Sequence, residues 1–150
     1  MVVYRITLAE YARSLFASGN EARWNSRGAK VMYTAESRSL ACLENLVHRG
    51  GIGLNGLFRT MVIEIPDSLP VTVFSSDDLP DGWAAPFATA ITRGLGDNWY
   101  RLQQTPVLKV CSAIIPAENN FIINTLHPSF KKIKLLRTEP FMFDTRLGMK

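Results

Sequence analysis

Lys30-Val31-Met32-Tyr33-Thr34, followed by Ala35-Glu36-Ser37-Arg38-Ser39-Leu40-Ala41-Cys42-Leu43-Glu44-Asn45-Leu46-Val47-His48-Arg49, changes its hydrophobic period partway along. The β-branched and aromatic residues of 30–34 predict a strand. From Glu36 to Arg49 the spacing predicts a helix. An acid sits in its first turn, His48 and Arg49 in its last, and Gly50-Gly51 stands ready for a left-handed C-terminal position. Advancing 100° per residue places Leu43, Val47 and Leu40 on one apolar arc, with Glu44 about 40° beyond Leu40. Glu44 therefore lies at the edge of the core-facing stripe.

Upstream, Val2–Ile6 is a strand candidate, and Thr7-Leu8-Ala9-Glu10 has the form of a capping box opening a helix from about Leu8 to Ala17. Ser18-Gly19-Asn20 ends that helix, and Asn25-Ser26-Arg27-Gly28 is a turn. Downstream, Thr60–Ile65, Val71–Phe74, Val107–Val110, Phe121–Asn124 and Ile133–Leu136 read as short strands between prolines. Phe87–Arg93 and Asp97–Gln103 read as two short helices separated by Gly94 and Gly96. No repeat or linker interrupts the chain. The simplest architecture is one α+β domain over residues 1–150, a curved mixed β-sheet flanked by helices.

The chain has 150 residues, 47% of them hydrophobic, enough for one core without staples. Its formal net charge is +4 and its pI about 9.3, which favours an anionic partner. Cys42 and Cys111 have no metal-ligand spacing and read as buried thiols of a reducing cytoplasm. The N-terminus lacks a signal-peptide pattern, and no apolar run reaches membrane-spanning length, so a soluble, cytoplasmic protein is expected.

Arg23, Tyr33 and Glu44 surround this strand and helix: a planar cation, an aromatic platform and a carboxylate on an otherwise apolar face. Such a set suits a pocket that holds a pyrophosphate and stabilises a developing positive charge. Each also has a plain explanation. Glu44 could be a solvated glutamate paired with His48, Arg23 a surface arginine stacked on Trp24, and Tyr33 a packed strand residue. Taken singly, the plain explanations are the better ones. Ser112 closes a strand without a nucleophile-elbow motif, and Cys111 is a small core hydrophobe. His48 and His127 are too few and too isolated for a metal site. Lys131, Lys132, Lys134 and Arg137 read as a solvated strand face.

Together the fragments resemble the RES-domain family, toxins of bacterial toxin–antitoxin pairs. The resemblance rests on Tyr4-Arg5, Arg23-Trp24-Asn25 with Gly28, Val31-Met32-Tyr33-Thr34-Ala35, Leu40-Ala41-Cys42-Leu43-Glu44 with Val47-His48, and Leu95-Gly96-Asp97-Asn98-Trp99. It continues through Val110-Cys111-Ser112-Ala113-Ile114-Ile115-Pro116, Asn119-Asn120-Phe121-Ile122-Ile123-Asn124, His127-Pro128-Ser129-Phe130 and Phe143-Asp144-Thr145-Arg146-Leu147. Two positions depart from the family pattern: Cys111 and Thr125 stand where proline is usual. Both alter turn rigidity, not the reactive groups.

The resemblance implies an ADP-ribosyltransferase-like fold and an enzyme that consumes NAD as substrate, with no cofactor or metal, by cleaving the nicotinamide–ribose bond. Water, phosphate or a protein side chain would accept the ADP-ribose. It assigns Arg23, Glu44 and Ser112 as catalytic residues. Arg23, Tyr33 and Ser112, with Asn120 and Asn124, would bind substrate. It further implies an Xre-like antitoxin that blocks the pocket and itself carries the DNA-binding part, and a toxin dimer bound by several antitoxin chains. The competing reading is a basic ribonuclease toxin with Lys131, Lys132, Lys134 and Arg137 along the RNA backbone. A third is a non-catalytic interaction module.

Overall fold

The computed structural model describes residues 1–48 and 57–147. Seven strands form one mixed sheet: β1 (Val2–Leu8), β2 (Val31–Ala35), β3 (Phe58–Glu64), β4 (Val71–Phe74), β5 (Val107–Cys111), β6 (Asn119–Asn124) and β7 (Lys134–Phe141). Their spatial order is β4-β5-β6-β2-β1-β3-β7. Only β4 and β5 run parallel; the other neighbours are antiparallel. Two helices, α1 (Arg38–His48) and α2 (Ala90–Leu102), complete the expected α+β architecture.

Several local readings needed correction. The helix expected over 8–17 is absent: β1 runs on to Leu8, which pairs with Phe58, and only a 3₁₀ turn at Ala9–Tyr11 follows, with no capping box. The ladder with β3 outweighs a local helix signal because it satisfies the backbone and buries Ile6 at once. Helix α1 begins at Arg38, because the Ser37 hydroxyl accepts the Leu40 amide at 3.0 Å and caps the first turn. The proposed glycine cap at 50–51 lies outside the described residues. The two short helices expected around Gly94 and Gly96 are one helix, α2.

Side-chain alternation along the strands sorts the core onto two faces. Met32, Met61, Ile63, Val107, Phe121 and Ile123 fill one cluster. On the other face, Trp24, Val31, Leu108 and Ile122 pack against Trp99 of α2, while Ile6, Ala35 and Phe58 pack against Leu40 and Ala41 of α1. Val47 is solvent-exposed and does not join the apolar arc. Strand β1 pairs with β3 along its whole length but meets β2 only at Tyr4–Ala35. The sheet therefore parts between β1 and β2, beside α1.

Candidate active site

A cleft of about 850 Å³ occupies that gap. It is walled by Tyr4, Arg5, Arg23, Tyr33, Glu44 and Asn120, with Asn45, Val47 and His48 from α1 and Ala84 and Pro86 from a facing loop. Register explains part of this set. Tyr33 pairs with Ile122 and Ala35 with Asn120, so Tyr33, Ala35 and Asn120 share the cleft face.

Glu44 projects from α1 with its side chain 23% exposed. Its Oε1 accepts a hydrogen bond from the Ser112 hydroxyl at 3.0 Å and another from Asn120 Nδ2. Its Oε2 lies 3.4 Å from His48 Nε2, one turn along the helix. Burial alone would raise the carboxyl, but the bonds from His48, Asn120 and Ser112 outweigh it and hold Glu44 below the usual carboxylate range. The expected pairing with His48 and the inward placement are thus both present. Glu44 is a fixed negative charge on a cleft wall.

Ser112 is fully buried and absent from the cleft lining. Its oxygen also accepts the Ile114 and Ile115 amides at 3.0 and 3.1 Å. In this arrangement the Ser112 hydroxyl proton is directed to Glu44, and its lone pairs close a turn. Asn124 stands outside the cleft lining. It is fully buried, its Oδ1 accepts the Leu126 amide at 3.0 Å, and it lies four residues along β6 from Asn120, about 13 Å away. Asn120 belongs to the cleft; Asn124 belongs to a turn beyond its end.

Arg23 reaches the cleft with its guanidinium anchored. One terminal nitrogen donates to Trp83 O at 2.7 Å, the other to Ala84 O and Ala85 O at 3.2 and 3.1 Å. Its aromatic neighbour is Trp83, 5.9 Å from ring centre to guanidinium carbon. The Trp24 indole expected to support it is instead buried and stacked on Phe74. Tyr33 presents only its ring to the cleft. Its hydroxyl donates to Asn25 Oδ1 at 2.7 Å and accepts the Trp24 amide at 3.1 Å, and burial pushes its ionisation well above the ordinary tyrosine value.

Two residues not singled out from the sequence also reach the site. Arg5 lines the cleft, and its guanidinium donates to Phe16 O at 3.1 Å; burial lowers its pKa. Its signal was present in the Tyr4-Arg5 pair, but strand alternation gave no reason to expect it at a cleft. Only the parting of β1 from β2 provides one. Asn45 donates to Ile6 O at 2.9 Å, while its Oδ1 and the Oδ1 of Asn120 are buried with no hydrogen-bond partner among the described residues. Arg5 and Arg23 on the walls of a cleft that also presents the Glu44 and Glu21 carboxylates suit a ligand carrying anionic groups together with a centre that can bear positive charge.

A family model described as the RES domain matches residues 2–144. The chain belongs to the RES-domain family. Among similar proteins, this RES-domain chain is 40% identical over 130 residues to the Prs ADP-ribosylating toxin of Sphingobium sp. (strain YBL2), covering 83% of this chain and 79% of the relative. It is 37% identical over 153 residues to Toxin Res of Photorhabdus laumondii, covering 98% and 97%. A chain from the crystal structure of the M. tuberculosis MbcT–MbcA toxin–antitoxin complex superposes with a TM-score of 0.75 at 14% identity, covering 93% of this chain and 83% of that one. That likeness establishes a shared fold.

Proposed function

We propose that this chain is the toxin of a bacterial toxin–antitoxin pair and that it consumes NAD by cleaving the nicotinamide–ribose bond. The observation that carries the reading is the Glu44 carboxylate, held ionised by Ser112, Asn120 and His48 in a cleft walled by Arg5, Arg23 and the Tyr33 ring. The relatives' names, Toxin Res and an ADP-ribosylating toxin, support the same reading.

In this reaction the C–N bond breaks with its electron pair passing to the nicotinamide ring, which leaves neutral, and positive charge develops on the ribose. Glu44 stabilises that charge through space. Oε1 already accepts two short bonds, while Oε2 has, among the described residues, only the longer contact to His48 at 3.4 Å, so Oε2 is the oxygen better able to face the ribose or orient the incoming nucleophile. Arg23 and Arg5 offset the pyrophosphate charge, and the Tyr33 ring walls the nicotinamide ribose. Asn45 and Asn120 line the same cleft, and Asn120 also fixes the Glu44 carboxylate through its Nδ2. The acceptor of ADP-ribose is water, phosphate or a protein side chain.

An Xre-like antitoxin that covers the cleft, and a cytoplasmic site of action, complete the proposal. Among the described residues no helix is long and apolar enough to cross a membrane. The ribonuclease reading finds less support: none of Lys131, Lys132, Lys134 and Arg137 lines the cleft, and Arg137 is held by Glu139 at 2.9 Å. Purified chain free of antitoxin, incubated with NAD and separately with RNA, is expected to release nicotinamide and leave RNA intact. RNA cleavage with NAD untouched overturns the proposal. Adding phosphate and looking for ADP-ribose 1″-phosphate separates phosphorolysis from hydrolysis.

A further inference from the structure

The Leu95-Gly96-Asp97-Asn98-Trp99 stretch lies on α2, away from Glu44, and nothing in the proposed reaction accounts for it. Its face, however, grips the backbone that carries Arg23. Thr92, Arg93, Gly96 and Asp97 follow one another at helical spacing along a single side of α2. The fully buried Thr92 hydroxyl shares its proton between Arg23 O at 2.9 Å and Thr89 O at 3.1 Å. Arg93 Nε donates to Ala22 O at 3.2 Å. Asp97 accepts the Ser26 amide at 2.8 Å through one carboxylate oxygen and the Ser26 hydroxyl through the other.

Between these bonds the two backbones nearly touch. A Cβ placed on Gly96 would lie 1.8 Å from Trp24 O and 2.7 Å from its carbonyl carbon, so any side chain there must drive residues 22–26 off the helix. Gly94, two positions earlier, would meet nothing within 4 Å. The intolerance is thus local to the contact and is no property of glycine in this helix at large. On its opposite side, the same segment is tied to β2, since the Tyr33 hydroxyl bridges the Trp24 amide and Asn25 Oδ1. Residues 22–26 are clamped between α2 and β2, and the only long side chain they send toward both the cleft and the 83–85 carbonyls is that of Arg23.

We infer that this face of α2 is a positioning element for Arg23, with Thr92 the positioning residue, Gly96 the contact that permits it and Asp97 the outer latch. An arginine must meet an anion with defined direction to use its planar fork, and its long side chain cannot keep that direction if its own backbone shifts. The inference rests on the proposed role of Arg23 in holding the pyrophosphate of NAD. It assigns to α2 the substrate affinity of a cleft that α2 does not line.

The test is steady-state nicotinamide release by the full chain, with KM and kcat resolved for each variant and the melting temperature measured alongside. Thr92→Val keeps the side-chain shape and removes the hydroxyl. It is expected to raise KM for NAD about fivefold, the equivalent of one hydrogen bond, with kcat changed less than twofold. Thr92→Ser is expected to restore KM. Asp97→Ala, at the half-exposed end of the clamp, is expected to act in the same direction and guards against a buried variant that fails to fold. Gly96→Ala is expected to exceed both. If wild type turns over NAD while Thr92→Val and Asp97→Ala leave KM unchanged, or lower kcat alone in step with melting temperature, the positioning role is overturned and the NAD reading stands. If wild type releases no nicotinamide, the NAD reading falls and takes the inference with it.

Discussion

Replacing Ser112 by alanine separates a residue that supports Glu44 from one that touches substrate. The hydroxyl makes three hydrogen bonds: it donates to Glu44 and accepts from the Ile114 and Ile115 amides. The bond to an ionised carboxylate contributes roughly 1.5–3 kcal/mol net. Each bond to the half-buried turn amides, which water can partly replace, contributes about 0.5 kcal/mol. The variant should therefore lose about 3 kcal/mol of unfolding free energy, a fall of roughly 6–12 °C in melting temperature for a chain of this size. Glu44 keeps two of its three donors. Its carboxyl rises toward the ordinary range but remains ionised at neutral pH, so nicotinamide release should fall no more than about tenfold, and its acid limb should move to higher pH. Calorimetric melting and nicotinamide release between pH 4 and 8 measure both effects. A variant that melts like wild type yet loses as much turnover as Glu44→Gln would refute the reasoning and return Ser112 to contact with the substrate.

Glu44→Gln should lower nicotinamide release by about 10²–10³ while the chain stays folded, because an amide cannot offset charge on the ribose; retention of full turnover would sink the assignment of Glu44. The depressed Glu44 carboxyl makes a signed stability prediction: its contribution is complete above the ordinary value of 4.5 and is lost as pH falls through the lower folded-state value, so the stability gap between wild type and Glu44→Gln should narrow only on the acid side. A gap that does not change with acidification would contradict the hydrogen-bond network described. Arg5→Gln should weaken binding of ADP-ribose about tenfold, read by titration calorimetry, with little loss of melting temperature, since the guanidinium donates to a single carbonyl. Unchanged affinity would remove Arg5 from the site.

What could be read from the chain depended on how local its cause was. Val71–Phe74 coincides with β4 because a β-branched run behind Pro70 leaves little choice. Helix α1 was legible within two residues at its start for the same reason, and its cap lay in its own sequence at Ser37. The expected helix over 8–17 failed because its competitor was distant: Leu8 is drawn into a ladder with Phe58, which no window around Thr7 reveals. Gly96 resembles punctuation in the sequence but lies inside a continuous helix. It is a contact surface for Trp24 O, and a helix accepts glycine where a backbone must approach that closely.

For the site, the sequence by itself determined which groups are present. An arginine, a tyrosine and a glutamate sit around one strand and helix, and the spacing of the surrounding fragments matches the RES family from residue 2 to 144. Only the tertiary structure decided what each group does with its hydrogen bonds. Ser112 meets Glu44 across 68 residues, Arg23 meets the carbonyls of 83–85 across about 60, and Arg5 reaches the cleft because β1 parts from β2. Side-chain identity is a local property of the chain. Hydrogen bonds act over about 3 Å, and which donor comes within that distance of which acceptor is set by sheet register and helix packing.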